Sequence, residues 1–212
     1  MKYLVFIIGV FLTIGCMQAQ DLTAIKLVPP AKTGGEGLLK AFNDRKSERE
    51  FAPGNLKWQD LSTLLWAANG MNRADGKRTA PSAMNVQDVD VYVVMEEGVY
   101  FYDAGAHALQ PVASGDYRDA VAGGQDFVKA APVCLVLVSD LSRLSNPVND
   151  GAKLMGAVDV GIVCQNINIA CAGLGLATVP RASMDQEALK TVLKLTDHHL
   201  LLMNNPVGYP KK

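Results

Sequence analysis

The most evident capacity for chemistry lies in Arg45-Lys46-Ser47-Glu48-Arg49. In an extended segment Arg45, Ser47 and Arg49 project to one side, so two guanidinium forks flank a hydroxyl. That arrangement suits a phosphate, whose oxygens Arg pairs bidentately; taken alone, the same run reads more simply as a solvated charge cluster. Residues 81–87, Pro81-Ser82-Ala83-Met84-Asn85-Val86-Gln87, offer Ser82, Asn85 and Gln87 as uncharged donors and acceptors of the kind that read the edge of a planar heterocycle. Such residues are equally ordinary turn formers. In Gly173-Leu174-Gly175-Leu176-Ala177-Thr178-Val179-Pro180-Arg181 the glycines let backbone approach a ligand closely, although a helix C-cap explains them as well. The tail ends in Lys211-Lys212, an anion clamp or a frayed basic end.

Other chemistries find no residues at the required spacing. His198 and His199 are adjacent, which on a strand sends them to opposite faces, and His107 has no ligand-spaced partner, so no metal site is expected. A Gly-x-Ser-x-Gly nucleophile turn is absent from the sequence. Net charge is -1 over 212 residues, which excludes the broad basic field that nucleic acid or anionic membranes would need. Cys134, Cys164 and Cys171 are odd in number and flanked by apolar residues, as core thiols are. On one helix Cys164 and Cys171 stand about 10 Å apart along the axis, beyond disulfide reach.

Several elements must hold these residues in place. Leu61, Leu64, Leu65 and Ala68 recur at helical spacing over residues 58–68, closed by Gly70. Val89, Val91, Val93 and Met95 alternate with period two, and Glu97-Gly98 turns the chain into Val99-Tyr100-Phe101-Tyr102, a hairpin. Residues 117–128 read as a helix. Residues 131–139 have the unbroken apolar character of a central strand, with Leu200-Leu201-Leu202-Met203 as its neighbour. Between these strands a long apolar helix covers residues 152–172. Asp159, Gln165, Asn166 and Asn168 interrupt it and argue against a membrane span, while Ala157, Gly161, Ala170 and Ala172 admit a second helix closely. Apolar nearly all round, it needs cover on every side, and a second subunit is a natural cover.

Hydrophobic residues make up 49% and charged residues 19%, a globular composition. Residues 1–19 have the layout of a secretory signal peptide, with Lys2 ahead of the apolar run from Tyr3 to Leu12. Cleavage after Ala19 leaves a polar start; cleavage before Cys16 is the rival and would leave a lipid anchor. Residues 20–37, with Pro29, Pro30 and Gly34-Gly35, read as an arm or loop. Residues 38–212 form one domain. The protein is therefore expected to be exported and periplasmic, with the lipoprotein alternative open.

The order of the motifs resembles the nitroreductase family of FMN-dependent oxidoreductases. Arg-x-Ser-x-Arg stands at 45–49 and Arg-Thr-Ala-Pro-Ser-Ala-x-Asn-x-Gln at 78–87. A long apolar helix then runs into Gly-Leu-Gly-Leu-Ala-Thr-x-Pro at 173–180, and Pro-x-Gly-Tyr-Pro follows at 206–210. Leu64-Leu65-Trp66-Ala67-Ala68-Asn69-Gly70 with Asn72-Arg73 is similar to the SagB-type, azoline-oxidising branch. The resemblance implies an α+β fold with a central, mainly antiparallel sheet flanked by helices, an intertwined homodimer, and FMN between the subunits. By the same resemblance Arg45, Ser47 and Arg49 would bind the flavin's phosphate, ribityl chain and pyrimidine end. Pro81, Ser82, Ala83 and Asn85 would reach it from the other subunit. Val179, Pro180 and Arg181 would cover the ring and bring main-chain donors to it, Gln125 would touch its edge, and Lys211 or Lys212 would take the place of a family basic residue. The flavin then carries the chemistry and no catalytic side chain is expected. NAD(P)H is the donor the family implies and a nitro, quinone or similar small organic molecule the acceptor. An exported dehydrogenase acting on an unknown substrate, or a non-catalytic flavin-binding protein, are the alternatives.

Overall fold

The apolar run after Pro132 becomes the centre of a seven-stranded sheet, because strands apolar on both faces must be covered on both. In chain order the elements are β1 (Ile25–Lys26), α1 (Leu38–Asp44), α2 (Trp58–Asn69), β2 (Val89–Val94), β3 (Gly98–Asp103), β4 (Ala108–Ser114), α3 (Arg118–Ala122), β5 (Val133–Asp140), α4 (Asp150–Leu174), β6 (Ala177–Thr178), α5 (Gln186–Val192) and β7 (His199–Gly208). The strand order is β1-β4-β3-β2-β5-β7-β6, and each neighbouring pair runs antiparallel. This computed structural model describes residues 22–34 and 37–211. The leader at 1–19, both cleavage readings and Lys212 lie outside the described residues.

The period-two alternation of β2 divides the strand between two cores rather than between core and water. Val89, Val91 and Val93 face α2 and α4 with Leu135, Leu137, Val160, Val163 and Ile167. Tyr92 and Val94 face the opposite layer with Val136, Val138, Val121 and Leu189. Asp90 tolerates burial because Arg143 meets both its oxygens at 3.0 Å; a buried carboxylate needs such a bidentate partner.

α4 begins where the Asn149 side chain accepts the Ala152 N–H at 2.9 Å, and ends at Gly175, whose φ of 69° is the left-handed cap that glycine adopts without strain. Its inner face carries Val160, Val163, Cys164, Ile167 and Cys171 into the core. Gly156 lets it approach β5, since a Cβ there would stand 2.4 Å from Ser139 Oγ. By length and composition α4 is apolar enough to cross a membrane, but its inner face and the buried Asp159 make it a core helix of this fold.

Two expectations are corrected. The arm is not all loop: Ile25 pairs with Leu109 as an edge strand, Val28 O accepts from Ser62 Oγ, and Ser62 also meets His107, which in turn contacts Tyr102 OH at 2.9 Å. The helix read over residues 117–128 stops at Ala122, where Gly123 and Gly124 take positive φ, and a 3-10 turn resumes at Asp126–Ala130. Cys134, Cys164 and Cys171 are buried free thiols; burial pushes Cys134 up to about 12 and Cys164 up to about 11.

Leu137 is fully buried on the central strand, so Leu137→Ala should cost about 2–5 kcal/mol. Urea denaturation should show a lowered midpoint with an unchanged slope; a loss under about 1 kcal/mol would contradict the placement of this core.

Candidate functional site

The chain leaves α1 in extended form at Arg45 (φ -57°, ψ 121°) and is then held on both sides. Glu48 N–H donates to Thr178 O at 2.9 Å, Ala52 N–H to Tyr209 O at 2.8 Å, and Lys211 N–H to Glu50 O at 3.3 Å. Residues 48–52 therefore lie between β6 and the tail. Alternation sorts the side chains of this run. Lys46 and Glu48 pair with each other at 2.6 Å, while Arg45, Ser47 and Arg49 are exposed and, among the described residues, make no side-chain hydrogen bond or ion pair. The structure thus gathers Arg45, Ser47, Arg49, Val179, Pro180 and Lys211 at the C-terminal end of α4.

Arg181 belongs to the same region but turns inward, and here the sequence reading is corrected. Its guanidinium donates to Val121 O at 3.0 Å, Ala122 O at 2.7 Å, Asn204 Oδ1 at 2.7 Å and Gln125 Oε1 at 3.2 Å. The two carbonyls lie in the last turn of α3, where a cation is favoured; Ala122 O also accepts the Gln125 N–H at 3.0 Å. Burial chiefly, with the charge of Arg49 adding to it, lowers the Arg181 pKa from the ordinary arginine value. Its main-chain N–H donates to Asn204 O at 2.9 Å, and Pro180 has none, so neither supplies the main-chain donor expected of this segment. Gln125 is exposed yet spends its side-chain oxygen on Arg181.

Residues 81–87 form a tight loop at the other end of the sheet. Ala83–Asn85 is a 3-10 turn, and Met84, Asn85 and Gln87 have φ of 51°, 56° and 54°, a left-handed region costly for side-chain-bearing residues. Internal bonds hold it: Ser82 Oγ accepts Gln87 N–H at 2.8 Å and Gln87 Nε2 donates to Gly76 O at 3.0 Å. Those two side chains are thus committed to the loop, whereas Pro81, Met84 and Asn85 are exposed. Ala83 N–H donates to Asp159 Oδ2 at 2.8 Å, docking the loop on the N-terminal half of α4.

The two clusters are consequently far apart within one chain. At about 1.5 Å per residue, Asp159 and Gly175 stand about 24 Å apart along the axis of α4. Just N-terminal to Asp159 the helix exposes Leu154 at 61%, Met155 at 38% and Val158 at 47%, and α1, which packs against α4, exposes Leu38 at 65%, Leu39 at 83% and Phe42 at 54%. Gly161 lies on this face with open space around it. Apolar surface of this extent on one side of a small domain marks an interaction surface.

Sequence reasoning missed Asp88, Ser139 and the role of Asp159. Ser139 Oγ donates to Asp88 Oδ2 at 2.5 Å, and Asp88 and Asp159 are within hydrogen-bonding reach of each other. The available signal was Asp159 as the charge that interrupts an apolar helix. Asn204, which holds Arg181 and donates to Ser183 O at 3.1 Å, gave no signal.

With this geometry in hand, the likeness to known proteins is specific. The nitroreductase family model matches residues 43–209. A candidate nitroreductase of Methanocaldococcus jannaschii is 30% identical over 173 residues, covering 77% of this chain and 86% of that protein. The FMN reductase [NAD(P)H] of Bacillus subtilis is 24% identical over 187 residues, covering 82% of this chain and 66% of that protein. A crystal structure of a candidate nitroreductase from Ralstonia eutropha superposes with a TM-score of 0.83 at 33% identity, covering 90% of this chain and 91% of that one.

Arg181→Ala leaves Val121 O and Asn204 Oδ1 without the guanidinium donor and takes one of two donors from Ala122 O, and should destabilise the protein by about 3 kcal/mol or more. Arg181→Lys, with one ammonium in place of a fork, should recover less than half of this. Chemical denaturation of the three proteins measures both, and an Arg181→Ala variant as stable as the parent would remove the side chain from the fold's support.

Proposed function

Because the chain belongs to the nitroreductase family, we propose that it is an FMN-dependent oxidoreductase whose flavin lies in a seam built by two copies of the chain. The observation that carries this reading is the separation of the two half-sites. Residues 45–49 lie by the C-terminal end of α4 and residues 81–87 dock at Asp159 in its N-terminal half, about 24 Å away along the axis and too far apart to meet one flavin, and the apolar side chains beside them suit a second copy packed with its helix reversed. In that arrangement the Arg45 end of one protomer lies against the Pro81 end of its partner.

The residues fit the group. Arg45 and Arg49 hold exposed guanidinium forks with no protein partner among the described residues, the donor set a phosphate takes, and Lys211 is close behind through its main-chain bond to Glu50. Asn85 presents an exposed amide that suits a heterocycle edge. Val179 is buried and anchors the segment, leaving the half-exposed Pro180 as its apolar cover, with rigidity from β6 and from the Arg181–Asn204 main-chain pair. When bound, FMN would supply the redox chemistry, hydride transfer between a donor such as NAD(P)H and a nitro, quinone or other small organic acceptor. The protein binds and orients it, keeps water from one side, and aims donors at the edge where negative charge develops. The bacterial relative is named as an FMN reductase [NAD(P)H], which supports this choice of cofactor and donor. Leu64-Leu65-Trp66-Ala67-Ala68-Asn69-Gly70 and Asn72-Arg73 further support a place near the azoline-oxidising branch. The leader-like residues 1–19 support a periplasmic location, soluble or anchored through Cys16. There the physiological reductant would be other than soluble cytoplasmic NAD(P)H, and an exported dehydrogenase is the form the same site would take.

Purified protein supplied with FMN should be yellow, dimeric, and bleached anaerobically by NAD(P)H or by its own substrate. Colourless protein that ignores FMN and stays monomeric would overturn the reading. Arg45→Ala and Arg49→Ala each remove a charge-assisted contact worth about 2 kcal/mol, so the FMN Kd, measured by flavin fluorescence, should rise roughly thirtyfold in each. Unchanged binding in both would take the pair out of the site.

A further inference from the structure

Asp88 is fully buried, and its Oδ1 is without a hydrogen-bond partner among the described residues. An ionised carboxylate in such a place needs donors on both oxygens; Ser139 Oγ supplies one, at Oδ2. Besides the main-chain N–H of Asp88 itself, the side chain within reach is an acid, Asp159, which is only 3% exposed. Two ionised carboxylates in contact cannot both persist in the interior, whereas a single proton turns one of them into the donor the other lacks. Burial, opposed by the Ser139 hydrogen bond and helped by Asp159, pushes Asp88 up to about 6.

The pair sits where three parts of the fold converge. Asp88 leads into β2, Ser139 lies on β5 under Gly156 of α4, and Asp159 stands on α4 one residue from the exposed Val158. Asp159 also takes the Ala83 N–H of the loop in which Met84, Asn85 and Gln87 all have positive φ. A loop with that much unfavourable backbone keeps its shape only under outside restraint. Among the described residues the nearest cation is Arg143, which donates to Gln87 O at 2.9 Å and is taken up by other acids. Residues 81–87 carry no ionisable side chain, Asp90 on β2 and Asp140 on β5 are tied to Arg143, Lys153 of α4 pairs with Asp150, and α2 reaches this corner through the uncharged Asn69, bonded to Val89 O.

We propose that Asp88 and Asp159 form a proton-sharing carboxyl pair that clamps residues 81–87 in the shape the flavin seam requires, with Asp159 a positioning residue for the cofactor. The inference rests on the proposed flavin seam and adds to it a pH-sensitive control. The sign follows from the raised value of Asp88: the clamp is fully present below the ordinary carboxylate range and is lost as pH rises through about 6. The Asp88→Asn amide donates at every pH and should hold the clamp shut.

The test uses the full chain and FMN as the probe, comparing the parent with Asp88→Asn and Asp159→Ala. From pH 5 to pH 7.5 the FMN Kd of the parent should rise at least fivefold relative to that of Asp88→Asn; the flavin phosphate titrates in the same window but is common to both proteins. Without FMN, hydrogen–deuterium exchange of the 81–87 segment at pH 7.5 should be slower in Asp88→Asn than in the parent and faster in Asp159→Ala. Parallel FMN profiles together with equal exchange would overturn the clamp, as would an Asp159→Ala protein that binds FMN as tightly as the parent. A parent that binds no FMN at any pH would sink the flavin seam, while the exchange comparison would still decide whether the pair holds the loop.

Discussion

The packing of α4 against the sheet governs the rest of the molecule. Its inner face is committed to β5, β2 and β7 through Val160, Val163, Ile167 and Cys171, and that commitment fixes which residues are left outside. Because the rotation is set by this buried stripe, Leu154, Met155 and Val158 must face away from the core. Each such side chain is 38–61% exposed and so forgoes part of the roughly 1.5–3 kcal/mol that full burial contributes. The helix is thus a wall of the domain that leaves apolar side chains outside it.

Polar side chains in the interior serve to hold backbone that has no ladder of its own. Asn205 receives the Cys164 thiol at 3.2 Å and donates to Asn168 Oδ1 and Thr178 Oγ1, while Thr178 Oγ1 donates to Pro206 O at 2.9 Å. This chain of bonds joins the last third of α4 to β6 and β7. β6 is two residues long and would gain little from pairing alone, so its position, and with it that of Val179 and Pro180, depends on side chains from α4 and β7. A satisfied buried network of this sort specifies one arrangement more firmly than apolar contact does.

Long regular elements were legible in the sequence, and short or tertiary ones were not. The periodicity over residues 58–68 became Trp58–Asn69, the apolar run after Pro132 became Val133–Asp140, and its neighbour became His199–Gly208. β4 went unseen because Pro111 interrupts it, next to the edge of the sheet where proline is tolerated. α5 is seven residues, too short to print a helical period. In the site, Arg45, Ser47 and Arg49 were readable as an alternation, which survives because the segment is extended. The pair of Asp88 and Asp159 was not, since neither residue type nor spacing shows that two acids distant in the chain meet where β2 and α4 touch.

The arginines make the same point about what a motif can state. Arg49 and Arg181 lie near each other and belong to motifs of equal apparent promise, yet one guanidinium is exposed and the other is 7% exposed. What separates them is the supply of acceptors. α3 ends after five residues, leaving carbonyls that must be met, and β7 brings Asn204 beside them; a guanidinium with its planar fork is the side chain that can meet both at once. Residues 45–49 run along main chain whose hydrogen bonds are already taken by Thr178 and the tail, so nothing there draws the guanidinium groups inward. Their forks stay outside, exposed and with no hydrogen bond or ion pair among the described residues.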